Sequence, residues 1–561
     1  MSLLQPKLPD YDPIAWAQLP FPERARLVCQ SWAIQGYGTP IAVYVAYLLK
    51  IGFYVGVWLA WCARSPALGM PSELGTWWAH PLAFQKAVVW SLLFEVLGLG
   101  CGSGPLSGRY SPPVGGPLYF MRPGTLTSPP FPKLPLLGRA RRSWLDVGLY
   151  AGLVVACCAA LWAPTDGELG LVQLLPIALI LPILGLSDRT VFFAARSEHY
   201  LVLVVVFALA TGPNNTPAQW IAGAMAVHAA LWFFAGFSKL NHHFEAVVCV
   251  MVSNSPVLRW PWLRKRMYRA YPDDLRPSSL AKLMGHAGTA LEMGLPVLLL
   301  LAGDGPLLVA GMVGVLLLHG FITSNVPMGV PLEWNLLVVY GAFALFWAHP
   351  EVSVLDMSLP IAILVCTTAL AVPVLGNLFP ARVPFLAAMR YYAGNWAMSI
   401  WLLRDRDDRK IRAGLTMPAP WIYDQLEGSY PYYSHETAVA LLGKVMAFRL
   451  MHLHGRAIGK LLPKTIDAPL NEYIWLDGEL VAGLTLGWNF GDGHLHDEAL
   501  LAAIAESGEF EEGDLRCIFI EAQPMGGSSL HYRIHDAHSG LREEGQLEVS
   551  ELRERQPWDL G

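Results

Sequence analysis

Long apolar runs constrain this chain more than any other feature. An α-helix rises 1.5 Å per residue, so crossing a hydrocarbon core about 30 Å thick takes roughly 20 mostly apolar residues. Ten segments approach that length, at about 39–62, 83–101, 143–163, 169–187, 191–211, 217–240, 281–302, 306–324, 333–348 and 357–378. Lipid offers no partner to exposed backbone, so the expected fold is a polytopic α-helical membrane bundle of about ten spans, with eight as the lower count. Only 15% of the side chains are charged, where a soluble domain usually carries about 25%. The fifth segment departs most from that standard. Its apolar part, Tyr200 to Thr211, covers about 18 Å. To cross, it must recruit the stretch before it, which brings Arg196, Glu198 and His199 into the bilayer or to its edge.

Orientation follows from Lys and Arg, which accumulate in cytoplasmic loops. With the N-terminus inside, the inward stretches 1–38, 102–142, 188–198, 241–280 and 325–332 hold 17 of them, and the outward stretches hold Arg64 alone. Both termini are therefore expected in the cytoplasm of a cell-membrane protein. The chain divides into a cytosolic amphipathic segment (1–38), a transmembrane domain (39–380), an interfacial linker helix (381–402) and a small soluble α+β domain (403–561). In that tail, 436–462 reads as an amphipathic helix and 497–506 as a second. Asp477-Gly478 reads as the type I′ turn of a hairpin, and CIFIEAQ, SLHYRIH and GQLEVSEL alternate like strands. The Pro/Gly-rich stretch 102–137 is expected to be a surface loop. A formal net charge of -5 without a long run of one sign argues against a nucleic-acid partner. Eight Cys without CxxC spacing give neither a disulfide framework nor a zinc module.

Ionisable residues inside spans are costly, so each is a functional candidate. His228, Trp232, Ala235 and Lys239 fall on one face of the sixth span, and Ala235-Gly236 allows a neighbouring helix to come close. Lys239 then either faces the bundle or snorkels to the headgroups. His319 and His199 are expected at similar depth. A desolvated Lys loses its proton easily and serves as a general base, with the two His residues orienting it or carrying the proton on. Glu292 reads first as the partner of a basic group. Glu333, in Glu333-Trp334-Asn335, reads first as a helix cap. Arg196, Glu198, His228, Trp232, Glu292, Glu333 and Asn335 are the candidate substrate-side groups. No metal site is expected. His242-His243 lack a second HxxHH or HxxxH box, His531, His535 and His538 do not share one strand face, and GDGHLHDE (Gly491 to Glu498) is Gly-rich turn chemistry.

Glu198-His199-Tyr200-Leu201, followed one helix later by FFAGFSKL (Phe233 to Leu240), resembles the paired signature of the vitamin K-dependent γ-carboxylase-like membrane domain, which includes the bacterial HTTM domains. The likeness covers roughly 140–350, with Ser197-Glu198 where that family has Asn before His. It implies that Lys239 is a general base acting on a reduced isoprenoid quinone, that His199 assists it, and that His319 matches a later family His. The whole chain, including Val326 to Asn335 and the tail, is more closely similar to an uncharacterised bacterial multi-pass family. Two functions follow as expectations. One is a membrane enzyme that deprotonates or modifies a quinone or other lipid. The other is a non-enzymatic lipid transporter, or a scaffold that presents the tail to a protein partner. Transport calls for inverted repeats and broken helices, neither of which the sequence displays clearly.

Overall fold

The computed structural model describes residues 2–100, 115–212, 215–258, 260–325, 332–405, 408–417, 420–429, 433–488 and 490–561. Among the described residues, six helices are long and apolar enough to cross a membrane: Ile41–Cys62, Trp144–Trp162, Pro217–Phe237, Ser279–Leu301, Pro306–Thr323 and Leu359–Leu378. Shorter apolar helices, Leu171–Ser187, Tyr200–Leu209, Phe244–Asn254 and Leu332–Trp347, accompany them. Among the described residues, then, six helices meet the length on their own, and the expected count of about ten is not reached by length alone. The expected second span is Pro81–Val96, 16 residues with every side chain from Leu82 onward buried.

Burial sorts these helices into inner and outer ones. The most apolar window of Pro217–Phe237 is 83% buried, against 6% for Ile41–Cys62. An all-round apolar helix suits either place, so close contacts decide. Gly223 and Gly236 sit on the inner helix, where a Cβ would collide with Ile361 and Val206 at the first and with Met293 and Glu292 at the second.

The fifth expected span is broken. Arg189–Ala194 and Tyr200–Leu209 are separate helices, joined through Arg196, whose φ of 52° is left-handed and uncommon for a residue with a side chain. Ser197 Oγ donates to Phe192 O at 2.6 Å and closes the break. Irregular backbone is tolerated at membrane depth only where protein covers it. Here Arg196, Ser197, Glu198 and His199 are all buried. A ten-residue helix rises about 15 Å, so Tyr200–Leu209 does not cross a bilayer alone.

After the last long helix, residues 381–397 are turns and bends, where a linker helix was expected. Met398–Arg404 then forms an interior strand of a five-stranded antiparallel sheet. Its order is Tyr473–Asp477, Met398–Arg404, Leu515–Ile520, Ser529–Asp536, Gly540–Glu548. Asp477-Gly478 does not turn a hairpin. Asp477 caps helix Gly478–Thr485 instead, accepting from the Glu479 N–H at 2.8 Å. Asp suits an N-cap as well as a turn, and the all-buried residues that follow favour the helix. The expected 436–462 helix divides into His435–Met451, a 3₁₀ turn at His454–Ala457 and Ile458–Thr465.

Both faces of the inner strands are covered. Trp401, Leu403, Cys517 and Phe519 join the apolar cluster of the bundle. The alternate residues Ile400, Leu402, Ile518 and Ile520 join a second cluster, with Val28 and Trp32 of helix Phe21–Gln35 and with Leu450 and Met451. Period-two alternation thus inserts the sheet between the bundle and the N-terminal helix. Of the 102–137 loop, 102–114 lie outside the described residues. The remainder holds helix Gly115–Phe120, and the Tyr119 hydroxyl donates to Leu484 O at 2.8 Å.

A fragment of residues 403–561, expressed alone, is expected to be insoluble or to lack a cooperative melt, because it deletes most of a central strand and uncovers a face that the bundle buries. A sharp thermal transition of that fragment, followed by circular dichroism, would show the tail to be self-sufficient.

Candidate functional site

The break before Tyr200 places the His199 ring against Trp334 of helix Leu332–Gly341 and His228 of helix Pro217–Phe237. Trp334 Nε1 donates to His199 Nδ1 at 3.1 Å. In the neutral ring the proton is then on Nε2. His228, on the inner helix, lies edge-on to it with ring centroids 4.9 Å apart. A carbonyl only accepts, so His228 Nδ1 donates to Ala224 O at 3.1 Å, which leaves Nε2 with the lone pair. Both rings are fully buried, and neither Nε2 has a hydrogen-bond partner among the described residues. A donor and an acceptor of one kind of chemistry therefore stand open beside each other. Gly341 packs on His228 Nε2, where a Cβ would overlap it. The six residues after Gly341 are wound as a π-helix, a form often found beside functional sites.

The ring series continues to His319. Trp232 packs on His228 with centroids 6.1 Å apart, and its Nε1 donates to His319 Nε2 at 2.8 Å. His319 Nδ1 donates to Asn335 Oδ1 at 2.7 Å. Both nitrogens of His319 are thus engaged, and its part is to hold Trp232.

Lys239 faces the bundle rather than the headgroups, with its side chain 4% exposed, and both carboxylate oxygens of Glu292 hold its Nζ. Its ammonium lies 4.8 Å from the Phe244 ring centroid. Gly236 makes this possible by letting helix Ser279–Leu301 approach the inner helix. The structure therefore links Lys239 to Glu292, and links His199, His228, Trp232, His319 and Asn335 to one another.

A second set of charges surrounds the break. Arg196 pairs with Glu95 at 3.5 Å, and its guanidinium lies over Phe490 and Trp334. Glu333, in the first turn of Leu332–Gly341, pairs with Lys50 of helix Ile41–Cys62 at 3.2 Å. Glu198 accepts from the Tyr391 hydroxyl at 2.9 Å, which ties the break to the segment leading into the sheet. Residues 326–331 of the Val326 to Asn335 motif lie outside the described residues. Glu95, Lys50 and Lys86 escaped the sequence reading, although each is an ionisable residue inside an apolar run and carries the same signal as Glu292. Lys86 donates to Trp61 O at 3.0 Å and Leu161 O at 2.8 Å, at the ends of two outer helices. Trp334 and Gly341 gave no such signal, since only the packing reveals what they touch.

In the tail, Asp492 caps a 3₁₀ turn, and His494 sits between Asp492 and Glu521. Burial alone would lower its pKa, but the Glu521 and Asp492 carboxylates outweigh this and push it up to about 10. His243 is buried against the His454 ring and bonded to Gln523. No group of three or more His, Cys, Asp or Glu among the described residues is arranged to hold a metal ion.

Over residues 1–561 the chain matches the family described as transmembrane protein of unknown function (DUF3556), and it belongs to that family. No curated protein matches it, and no solved structure does.

Replacing Glu292 by Gln strands the Lys239 cation inside the bundle and is expected to cost about 3–5 kcal/mol of stability. Lys239→Met combined with Glu292→Leu removes both charges and is expected to recover most of that loss. Thermal melts of the two variants in detergent provide the comparison. Equal losses in both would mean that charge compensation is not what the pair contributes.

Proposed function

We propose that this member of the transmembrane family is an enzyme that takes a proton from a hydroxyl-bearing lipid at the His199–His228 pair. The substrate class that the resemblance implies is a reduced isoprenoid quinone. The observation that supports this reading is the complementary pair of open nitrogens, His199 Nε2–H and His228 Nε2. A hydroxyl placed between them would lose its proton to the His228 lone pair. The O–H bond breaks, an N–H bond forms at Nε2, and the oxyanion left behind accepts from His199 Nε2–H.

In this reading His228 takes the role of base that the resemblance assigns to Lys239, because the Lys239 ammonium is already engaged by Glu292. Lys239 and Glu292 fix the inner helix, and His319 with Asn335 fixes Trp232 against His228. Arg196, Glu198 and Glu333 hold the helix break that carries His199. The charge asymmetry of the loops supports a cytoplasmic location for both termini. The broken helix at Arg196 also suits a lipid transporter, and chemical change of the bound lipid separates the two readings.

The full chain in lipid nanodiscs, loaded with menaquinol and then washed and extracted, tests the proposal. His228→Phe keeps a ring against Phe84 and Trp232 and removes both nitrogens. It is expected to weaken menaquinol retention by about tenfold, as loss of one buried hydrogen bond implies, with the melting temperature near wild type. Equal retention by wild type and variant would exclude the pair as the binding site.

A further inference from the structure

We infer that a cavity beside the start of helix Ile41–Cys62 binds the phosphate-bearing headgroup of an anionic membrane lipid. The cavity has a volume of about 590 Å³, walled by the N-terminal segment, the end of helix Phe21–Gln35, Asn254 to Pro256 and Arg264. That volume is within the usual range for a small-molecule site. Among the described residues its lining contains two cations, Lys7 and Arg264, and no Asp or Glu. Arg264 is fixed in the wall, donating from Nη1 to Ile34 O at 3.0 Å and from Nη2 to Ser255 O at 3.2 Å. Thr39 also lines the cavity. It is 5% exposed, and its hydroxyl has no hydrogen-bond partner among the described residues. A buried hydroxyl left open beside two cations matches what a phosphate oxygen accepts.

A second lysine amine stands behind the wall. Lys444 donates to Ser31 Oγ at 2.8 Å and Gly36 O at 3.0 Å, where the Lys7 charge acts on it and Asp10 partly offsets that charge. The surroundings specify a lipid rather than a free anion. Tyr44, in the first turns of helix Ile41–Cys62, lines the cavity. From that end Ile41, Val45, Leu48 and Leu49 run as one exposed apolar stripe, a track for an acyl chain. On the other side, Trp260 and Trp262 are exposed and stacked, with centroids 6.0 Å apart, next to Arg264, Lys265 and Arg266. Exposed Trp with clustered cations is the composition of a segment at the headgroup level.

The experiment uses the full chain, delipidated in a neutral detergent, with phosphatidylglycerol, phosphatidylcholine and inorganic phosphate as probes, and native mass spectrometry as the readout. Phosphatidylglycerol should bind in preference to phosphatidylcholine. Lys7→Gln, at an exposed position, should weaken it by about fivefold, the effect of one cation near an anionic surface, and Lys7→Arg should not. Thr39→Val, which removes the open hydroxyl at nearly constant shape, should also weaken binding. Millimolar inorganic phosphate should leave the bound lipid in place. Equal binding of the two lipids, or no change in Lys7→Gln and Thr39→Val, would overturn the proposal. Displacement by phosphate alone would also overturn it, by assigning the cavity to a free anion. The imidazole pair is not involved, so His228→Phe should bind phosphatidylglycerol as wild type does.

Discussion

Charge carried into an apolar bundle has to be compensated inside the protein, and helix Pro217–Phe237 with the residues just past it is where this chain does so. The Lys239–Glu292 pair fastens that helix to Ser279–Leu301, and Gly236 permits the approach. Breaking such a pair leaves an unpaired ion where water cannot reach it, which costs far more than the pair contributes when intact. The inner helix is thereby fixed in rotation, and His228 and Trp232 on it are presented to His199 and His319. The imidazole pair depends on that rotation. A turn of the helix by one residue would move His228 about 100° away from His199.

Much of this arrangement was legible in the chain. Apolar runs of the right length gave the outer helices, and the costliness of intramembrane charge pointed to His199, His228, Lys239, Glu292 and His319 before any contact was known. Two things were not legible. Span length assumes that an apolar run is continuous helix, and the break at Arg196 violates this because a left-handed residue with a side chain has no sequence marker. Pairing between helices is also invisible in one sequence. Lys239 matched the motif of a free base, and only the placement of Glu292 reveals that the amine is already held. Likewise Asp477-Gly478 suits either a turn or a cap, and the choice was made by burial of the residues after it.

The tail is bound to this machinery through its backbone and its faces. Tyr391 reaches Glu198 at the helix break, Tyr119 reaches Leu484, and the sheet's inner strands give one face to the bundle. The other face is covered by helices Phe21–Gln35 and His435–Met451. Residues from both ends of the sequence thus cover the same sheet, and a shift at the helix break has a physical route to the tail through Glu198 and Tyr391. Long-range closure of this kind is slow to form, because distant segments must meet before either face is buried.

The central claim is that the open nitrogens of His199 and His228 receive a hydroxyl. A density map of the full chain in a lipid nanodisc with menaquinol, at a resolution that shows side chains and ligand oxygens, tests it most directly. The account predicts a hydroxyl oxygen about 2.6–3.2 Å from both Nε2 atoms, with Trp334 still on His199 Nδ1 and Ala224 O still on His228 Nδ1. Quinol density elsewhere in the bundle, with the two imidazoles closed on each other through a direct Nε2 to Nε2 hydrogen bond, would contradict it.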